Sequence, residues 1–239
     1  RQHDHRGEAR VGRRLAPLDG LPLPQVPRLD DSQTGRQTQI FYTWFRTAPA
    51  ALELKVTGGL IAHYRDRGNV RLELCAVEGE EERLVARDAS TPPDGKQRTV
   101  TLRTDRAGLH KLVVSDGGDR TEVLWPAGVA RTQEASPERG AASERRSGYF
   151  YVPRGVRTVG GYASRDGQGT IHDAAGRVAF RCATLDGADH FEVPVPPGQD
   201  GAFWSFRRVA GPFFLLTVPP FVARHPEELL LPQEAAGRR

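Results

Sequence analysis

The residues whose types and spacing could carry chemistry begin with an aromatic set. Tyr149 and Tyr151 stand two apart, Trp204 and Phe206 do the same, and Tyr162 and Arg165 lie beside a turn. Sugar rings present apolar C–H faces, which Tyr or Trp meets with a flat, electron-rich face at small entropic cost. An arginine beside such a platform donates hydrogen bonds to hydroxyls. Tyr149, Tyr151, Tyr162, Arg165 and Trp204 are therefore the expected ligand-binding residues, a sugar platform on one sheet face. The competing reading of the same rings is core or interdomain packing, since a sandwich commonly buries a Trp between its sheets.

The imidazoles and acids form the second set. His3-Asp4-His5 has metal-ligand types at close spacing, but nothing at a polar terminus orients the rings. His172-Asp173 and Asp189-His190 flank turns, and a carboxylate–imidazole site forms there only if those turns meet in space. Most aspartates, such as Asp66, Asp94, Asp116, Asp119, Asp166, Asp186 and Asp200, lie in Gly-containing turn segments, which select these types on backbone grounds alone. No nucleophile elbow, zinc-protease motif, phosphate loop or dinucleotide fingerprint is present. Loop calcium is a minor option that matches no EF-hand spacing. No catalytic residue, metal ligand or cofactor is assigned.

The elements that must position these side chains read as strands. Leu52-Glu53-Leu54-Lys55-Val56 alternates apolar with polar, as does Val70-Arg71-Leu72-Glu73-Leu74, the pattern of a half-buried antiparallel strand. Eight such segments are expected between Gln39 and Trp125, including one over Leu60 to Tyr64. Asp66-Arg67-Gly68-Asn69, Pro92-Pro93-Asp94-Gly95 and Asp116-Gly117-Gly118-Asp119 supply turns. Seven more segments follow from Tyr149 to Val218. The fold class is all-β, with two antiparallel β-sandwich domains in tandem and a flexible linker. The expected bounds are a Pro-rich extended leader or strap over 1–36, a first sandwich over 37–127 and a mobile linker over 128–147. A second sandwich covers 148–222, and a polar tail with a short helical turn at Pro226 covers 223–239.

Composition narrows the function classes. The chain has 239 residues, 38% hydrophobic and 27% charged, with 26 Gly and 18 Pro, which suits a loop-rich β protein rather than a helical one. No apolar run reaches the ~20 residues of a membrane helix. The net charge of +4 comes almost wholly from Arg, with Lys55, Lys96 and Lys111 the lysines. Arginines alternate with acids, as in Arg71-Leu72-Glu73, instead of clustering, so neither nucleic acid nor membrane is an expected partner. The start has no Met and no signal-like segment, which is read as a mature product or an excised piece. Cys75 and Cys182 are expected to be free thiols.

Ala107-Gly108-Leu109-His110-Lys111-Leu112-Val113-Val114, behind the aromatic strand Phe41-Tyr42-Thr43-Trp44-Phe45, resembles the closing stretch of bacterial pre-peptidase C-terminal-type β-sandwiches, with His110 where that family has an aromatic. Tyr149-Phe150-Tyr151-Val152-Pro153-Arg154-Gly155, Phe203-Trp204-Ser205-Phe206 and Leu215-Leu216-Thr217-Val218-Pro219-Pro220 are similar to C-terminal β modules of large secreted planctomycete-type glycan-active proteins. The resemblance implies a non-catalytic accessory module of an exported bacterial protein, secreted or periplasmic. Its expected partners are a polysaccharide or a neighbouring catalytic domain. The alternatives are a ligand-free structural spacer and, from another class, a small glycan-active hydrolase or lyase using His172, His190 and nearby Asp.

Overall fold

The computed structural model describes residues 14–29, 34–36, 38–137, 146–164, 169–186 and 188–237. The chain is all-β. Its first strands are β1 (Leu15–Pro17), β2 (Thr34–Arg36), β3 (Gln39–Phe45), β4 (Ala50–Thr57), β5 (Val70–Glu78), β6 (Glu81–Thr91), β7 (Gln97–Thr104), β8 (Gly108–Ser115) and β9 (Arg120–Leu124). Then come β10 (Gln133–Glu134), β11 (Arg146–Val152), β12 (Thr158–Ser164), β13 (Thr170–His172), β14 (Val178–Arg181), β15 (Ala188–Pro194) and β16 (Ala202–Val209). Strands β17 (Phe214–Leu215), β18 (Phe221–Val222) and β19 (Leu230–Pro232) lead into a short helix, α1 (Gln233–Gly237). Among the described residues, no helix is long and apolar enough to cross a membrane.

Sheets β2-β9-β4-β7 and β3-β8-β5-β6, both antiparallel, share one core. Phe41, Leu54, Leu72, Leu74, Leu102 and Leu112 fill it, with Trp125 packed at its margin. The inward residues Val70, Leu72 and Leu74 of β5 are the ones its period-two pattern requires. Sheets β11-β16-β13-β14 and β15-β12-β17 share a second core built on Phe150, Ile171, Phe191, Trp204, Phe206 and Phe213.

A third core joins these two sheet pairs. Val77, Leu109, Tyr42 and Trp44 from the first pair meet Tyr151 and Phe203 from the second. The chain ends close it, with Leu15 and Leu18 from the N-terminal side and Leu229, Leu230 and Leu231 from the C-terminal side. β1 pairs antiparallel with β19, so the leader is a strap with its own ladder.

Several expected elements differ. Leu60 to Tyr64 is not a strand; residues Ala62–Arg67 form a 3-10 turn with no buried side chain. An extended segment there would have no apolar face to cover, so the tight turn prevails. Within the expected extended leader, Leu15–Pro17 forms a strand, and Pro17 sits at its end, where the missing N–H costs little. Thr34–Arg36 belongs to the first sheet pair and not to the leader. The supposed linker is structural up to residue 137. Thr132 bridges to Tyr42, β10 pairs with β18, and Ala135 is fully buried in the second core, where a larger side chain would have to displace its neighbours. The rest of that segment, 138–145, lies outside the described residues, as do His3-Asp4-His5 and Arg165. The C-terminal segment is no polar tail, because Leu229, Leu230 and Leu231 are buried. The helical turn is present at Pro226–Glu228.

Candidate functional site

The expected platform is dispersed by burial. Trp204 is 0% exposed, tilted against Phe150 in the second core, and its Nε1–H donates to the Gln199 carbonyl at 2.8 Å. Tyr149 and Tyr151 are each 4% exposed. Tyr151 packs on Phe203 in the third core, ring centroids 5.3 Å apart. Tyr149 donates its hydroxyl hydrogen to the Pro27 carbonyl at 2.8 Å, pinning the strap, and burial raises its pKa. The alternation along β11 is as expected, with Phe150 and Val152 facing opposite to Tyr151. Its second face, however, is covered by chain-terminal segments instead of facing solvent. A sheet strand covered on both sides buries every residue.

Tyr162 is the exception. On β12, Val159 and Ala163 turn into the second core, and Tyr162 turns the other way. It stands opposite His190 of β15 and Phe214 of β17 in the ladder. The Tyr162 and Phe214 rings stack at 5.3 Å with 22° between planes, both half-buried. His190, exposed, meets Tyr162 edge-on at 5.4 Å. Glu192 is exposed two residues further along β15, and Leu216 is 48% exposed beside Phe214. Gly161 makes this geometry possible. A Cβ there would lie 2.2 Å from the Phe214 carbonyl oxygen and 2.7 Å from the Phe191 ring, so only glycine lets β17 approach β12 this closely. Three neighbouring rings on an outward sheet face, flanked by a carboxylate, present both surfaces that a sugar offers partners for: C–H faces and hydroxyls.

His172 and His190 do not come together, because their neighbours Ile171 and Phe191 fill the second core from facing sheets and leave the two imidazoles on opposite outer sides. His172 lies in the β11-β16-β13-β14 sheet and His190 in the other. His172 Nε2 is 2.9 Å from the Thr170 hydroxyl, and Nδ1 is 3.1 Å from the Gly176 carbonyl. Asp173 accepts from the backbone N–H groups of Ala175 and Arg177 and from the Arg177 guanidinium. The guanidinium and those backbone N–H groups hold its pKa below the ordinary carboxylate value, against a desolvation effect that acts the other way. These are turn-shaping contacts. Among the described residues, no group of three or more His, Cys, Asp or Glu side chains is placed to hold a metal ion. Cys75 and Cys182 are free and belong to different sheet pairs.

Sequence reasoning missed Phe214 altogether and weighed His190 only for catalysis. Neither is near Tyr162 in the chain, so only strand register brings them together. A second cluster, also missed, lies at the junction of the chain ends. Arg131 is buried over the Phe41 and Trp125 rings, at 5.0 and 5.8 Å, and burial pushes its pKa down to about 9, with the nearby Arg224 adding to the shift and Glu228 opposing it. Buried Glu228 ion-pairs with Arg28 of the strap, and its backbone carbonyl accepts from the Arg131 N–H and the Thr132 hydroxyl. This cluster ties strap, linker and C-terminal segment together. No protein-family model matches the chain, and no curated protein matches it.

Proposed function

We propose that the chain is a non-catalytic accessory module of an exported protein, binding polysaccharide through the Tyr162–Phe214–His190 face. The stacked, half-exposed Tyr162/Phe214 pair supports this reading most directly. A core role would place these rings with Trp204, and a monomer gains nothing from exposing three adjacent rings to water. Glu192, exposed on β15 two residues from His190, supplies an acceptor for hydroxyls. The resemblance of the second half to modules that accompany glycan-active domains points the same way.

The test is affinity electrophoresis and calorimetry against neutral polysaccharides, with Tyr162→Ala and Phe214→Ala. Each substitution is expected to weaken binding about five- to tenfold, as the loss of one ring contact of roughly 1 kcal/mol requires. Unchanged binding in a folded double variant refutes the platform. Trp204→Ala is no control here, because it empties a fully buried site at a cost of about 3–5 kcal/mol. The ligand-free spacer stays as the second reading, favoured by the burial of Tyr149, Tyr151 and Trp204. Absence of binding to every polysaccharide tried selects it.

A further inference from the structure

Three loops of the first sheet pair converge on an open concavity of about 540 Å³, lined by Thr38, Arg67, Asn69, Arg71, Ser115 and the Gly117-Gly118 pair. The 3-10 turn Ala62–Arg67 supplies Arg67, and Asn69 follows it. Strand β5 supplies Arg71, whose ladder partner is Ser115 of β8. The β8–β9 loop supplies the glycines.

Arg67 is held in place before any ligand arrives. Its guanidinium lies 3.8 Å over the Tyr64 ring, and Nη1 donates to the Gly118 carbonyl at 3.2 Å and the Gly117 carbonyl at 3.4 Å. Both glycines have left-handed backbone, φ +67° and +95°. A Cβ on Gly117 would lie 2.8 Å from the Arg67 carbonyl oxygen, and one on Gly118 would lie 2.6 Å from Arg67 Nη1. At Gly117 the Arg67 backbone leaves no room for a Cβ, and at both positions the left-handed backbone favours glycine. The loop's two acids turn inward and keep its shape. Asp116 accepts from the Gly118 N–H and the Thr121 hydroxyl, and Asp119 accepts from the Ile61 and Arg120 N–H groups. Both are buried, and neither lines the concavity.

Arg71 has a different character. It is exposed, and among the described residues it forms no ion pair. Asn69 spends its amide N–H on the Ala89 carbonyl at 2.8 Å, which leaves its side-chain oxygen as an acceptor. The lining thus combines two guanidinium groups, hydroxyls able to donate or accept, and one acceptor, with no carboxylate.

From this geometry we infer a second binding site, one that takes an oxyanion carried on a polyhydroxylated chain: the carboxylate or sulfate of an acidic polysaccharide. A guanidinium matches a planar or tetrahedral oxyanion with two parallel N–H donors, and pre-orienting Arg67 reduces the ordering cost on binding. The hydroxyls and the Asn69 oxygen suit sugar hydroxyls on either side of the charge. A nucleic acid fits less well. Phosphate tracking needs a stripe of cations, and here an acid accompanies each arginine: Asp66 precedes Arg67, and Glu73, paired with Arg87, lies two residues beyond Arg71 on the same side of β5. The site lies on the first sheet pair and Tyr162 on the second, so the one does not depend on the other.

The experiment uses the whole chain and three probes: tetragalacturonate, a sulfated dextran oligomer and a single-stranded oligonucleotide of matched charge. Maltotetraose is the neutral control. At low salt, the wild type is expected to bind at least one acidic sugar and to prefer it to maltotetraose. Arg71→Gln should weaken that binding about fivefold, and Arg67→Gln/Arg71→Gln should abolish it, with the far-UV spectrum unchanged and the thermal midpoint lowered by no more than a few degrees, since the Arg67 contacts with Tyr64 and the glycine carbonyls are lost at the surface. Which acidic sugar binds tighter identifies carboxylate or sulfate as the natural group. Tyr162→Ala should leave this binding intact, which separates the outcome from that of the aromatic face. Equal binding by the folded double variant overturns the inference. Tighter binding of the oligonucleotide, or no binding of either acidic sugar, also overturns it.

Discussion

Leu231→Ala tests whether the third core makes the two sheet pairs one cooperative structure. Leu231 is fully buried on β19, opposite Ala16 of the strap, among side chains from β5, β8, β11 and β16. The substitution removes about three carbons, worth about 2.4 kcal/mol at ~0.8 per buried methylene. Incomplete collapse of the space adds about 1 kcal/mol, for a total of about 3–4. In a chain of this length each kcal/mol moves the midpoint by about 2–4 °C, so a drop of roughly 10 °C is expected. The three tryptophans report on separate places: Trp44 beside the third core, Trp125 beside the first, and Trp204 inside the second. Unfolding should be followed in versions that keep only Trp125 or only Trp204, each with and without the substitution. Both reporters should lose midpoint together. A shift confined to one reporter, or a change below about 0.5 kcal/mol, refutes the idea that this core couples the two halves.

His110 should make stability pH-dependent. It is fully buried, edge-on to Phe45, with Nδ1 3.1 Å from the Gly108 carbonyl and Nε2 2.9 Å from the Thr104 hydroxyl. Burial lowers its pKa below 6.5, so the unfolded chain binds its proton first. Its contribution is whole above about pH 6.5 and falls away below it, with a slope of at most about 1.4 kcal/mol per pH unit. Urea titrations from pH 7.5 to 5.0 should show the loss, and His110→Phe should remove that part of the slope. Glu228→Gln should cost about 2–3 kcal/mol in the same assay, since Arg28 and buried Arg131 then lose a nearby negative charge. Asp19→Asn, which breaks the solvent-exposed pair with Arg46, should leave the midpoint where it was. Thiol titration should find two reactive groups in denaturant, with Cys182, fully buried, silent in the native protein.

Strand identity was legible wherever one face alone is buried. β4, β5 and β7 alternate in sequence as they do in burial, and their turns carry the Gly and Asp that the backbone demands. Legibility failed wherever cover came from distant chain. Tyr149-Phe150-Tyr151-Val152 alternates ring chemistry without alternating burial, because the strap and the last strand lie on the face that a lone sandwich would leave wet. Nothing local to Tyr149 records that Pro27 will accept its hydroxyl. The same limit works in reverse at Tyr162, which looked like one member of a five-residue platform and instead gains Phe214 and His190 through register.

The turn segments carry the remaining lesson. Asp66-Arg67-Gly68-Asn69 and Asp116-Gly117-Gly118-Asp119 were each explained by backbone needs, and those explanations are correct as far as they go. Yet a glycine chosen for left-handed φ also brings its carbonyl within reach of an arginine from another turn, and that contact holds the arginine in place. Two segments with a sufficient structural reason can therefore still form a binding surface together. Whether they do is decided by what Arg67 and Arg71 hold at low salt, a question to which the turn chemistry of either segment is blind.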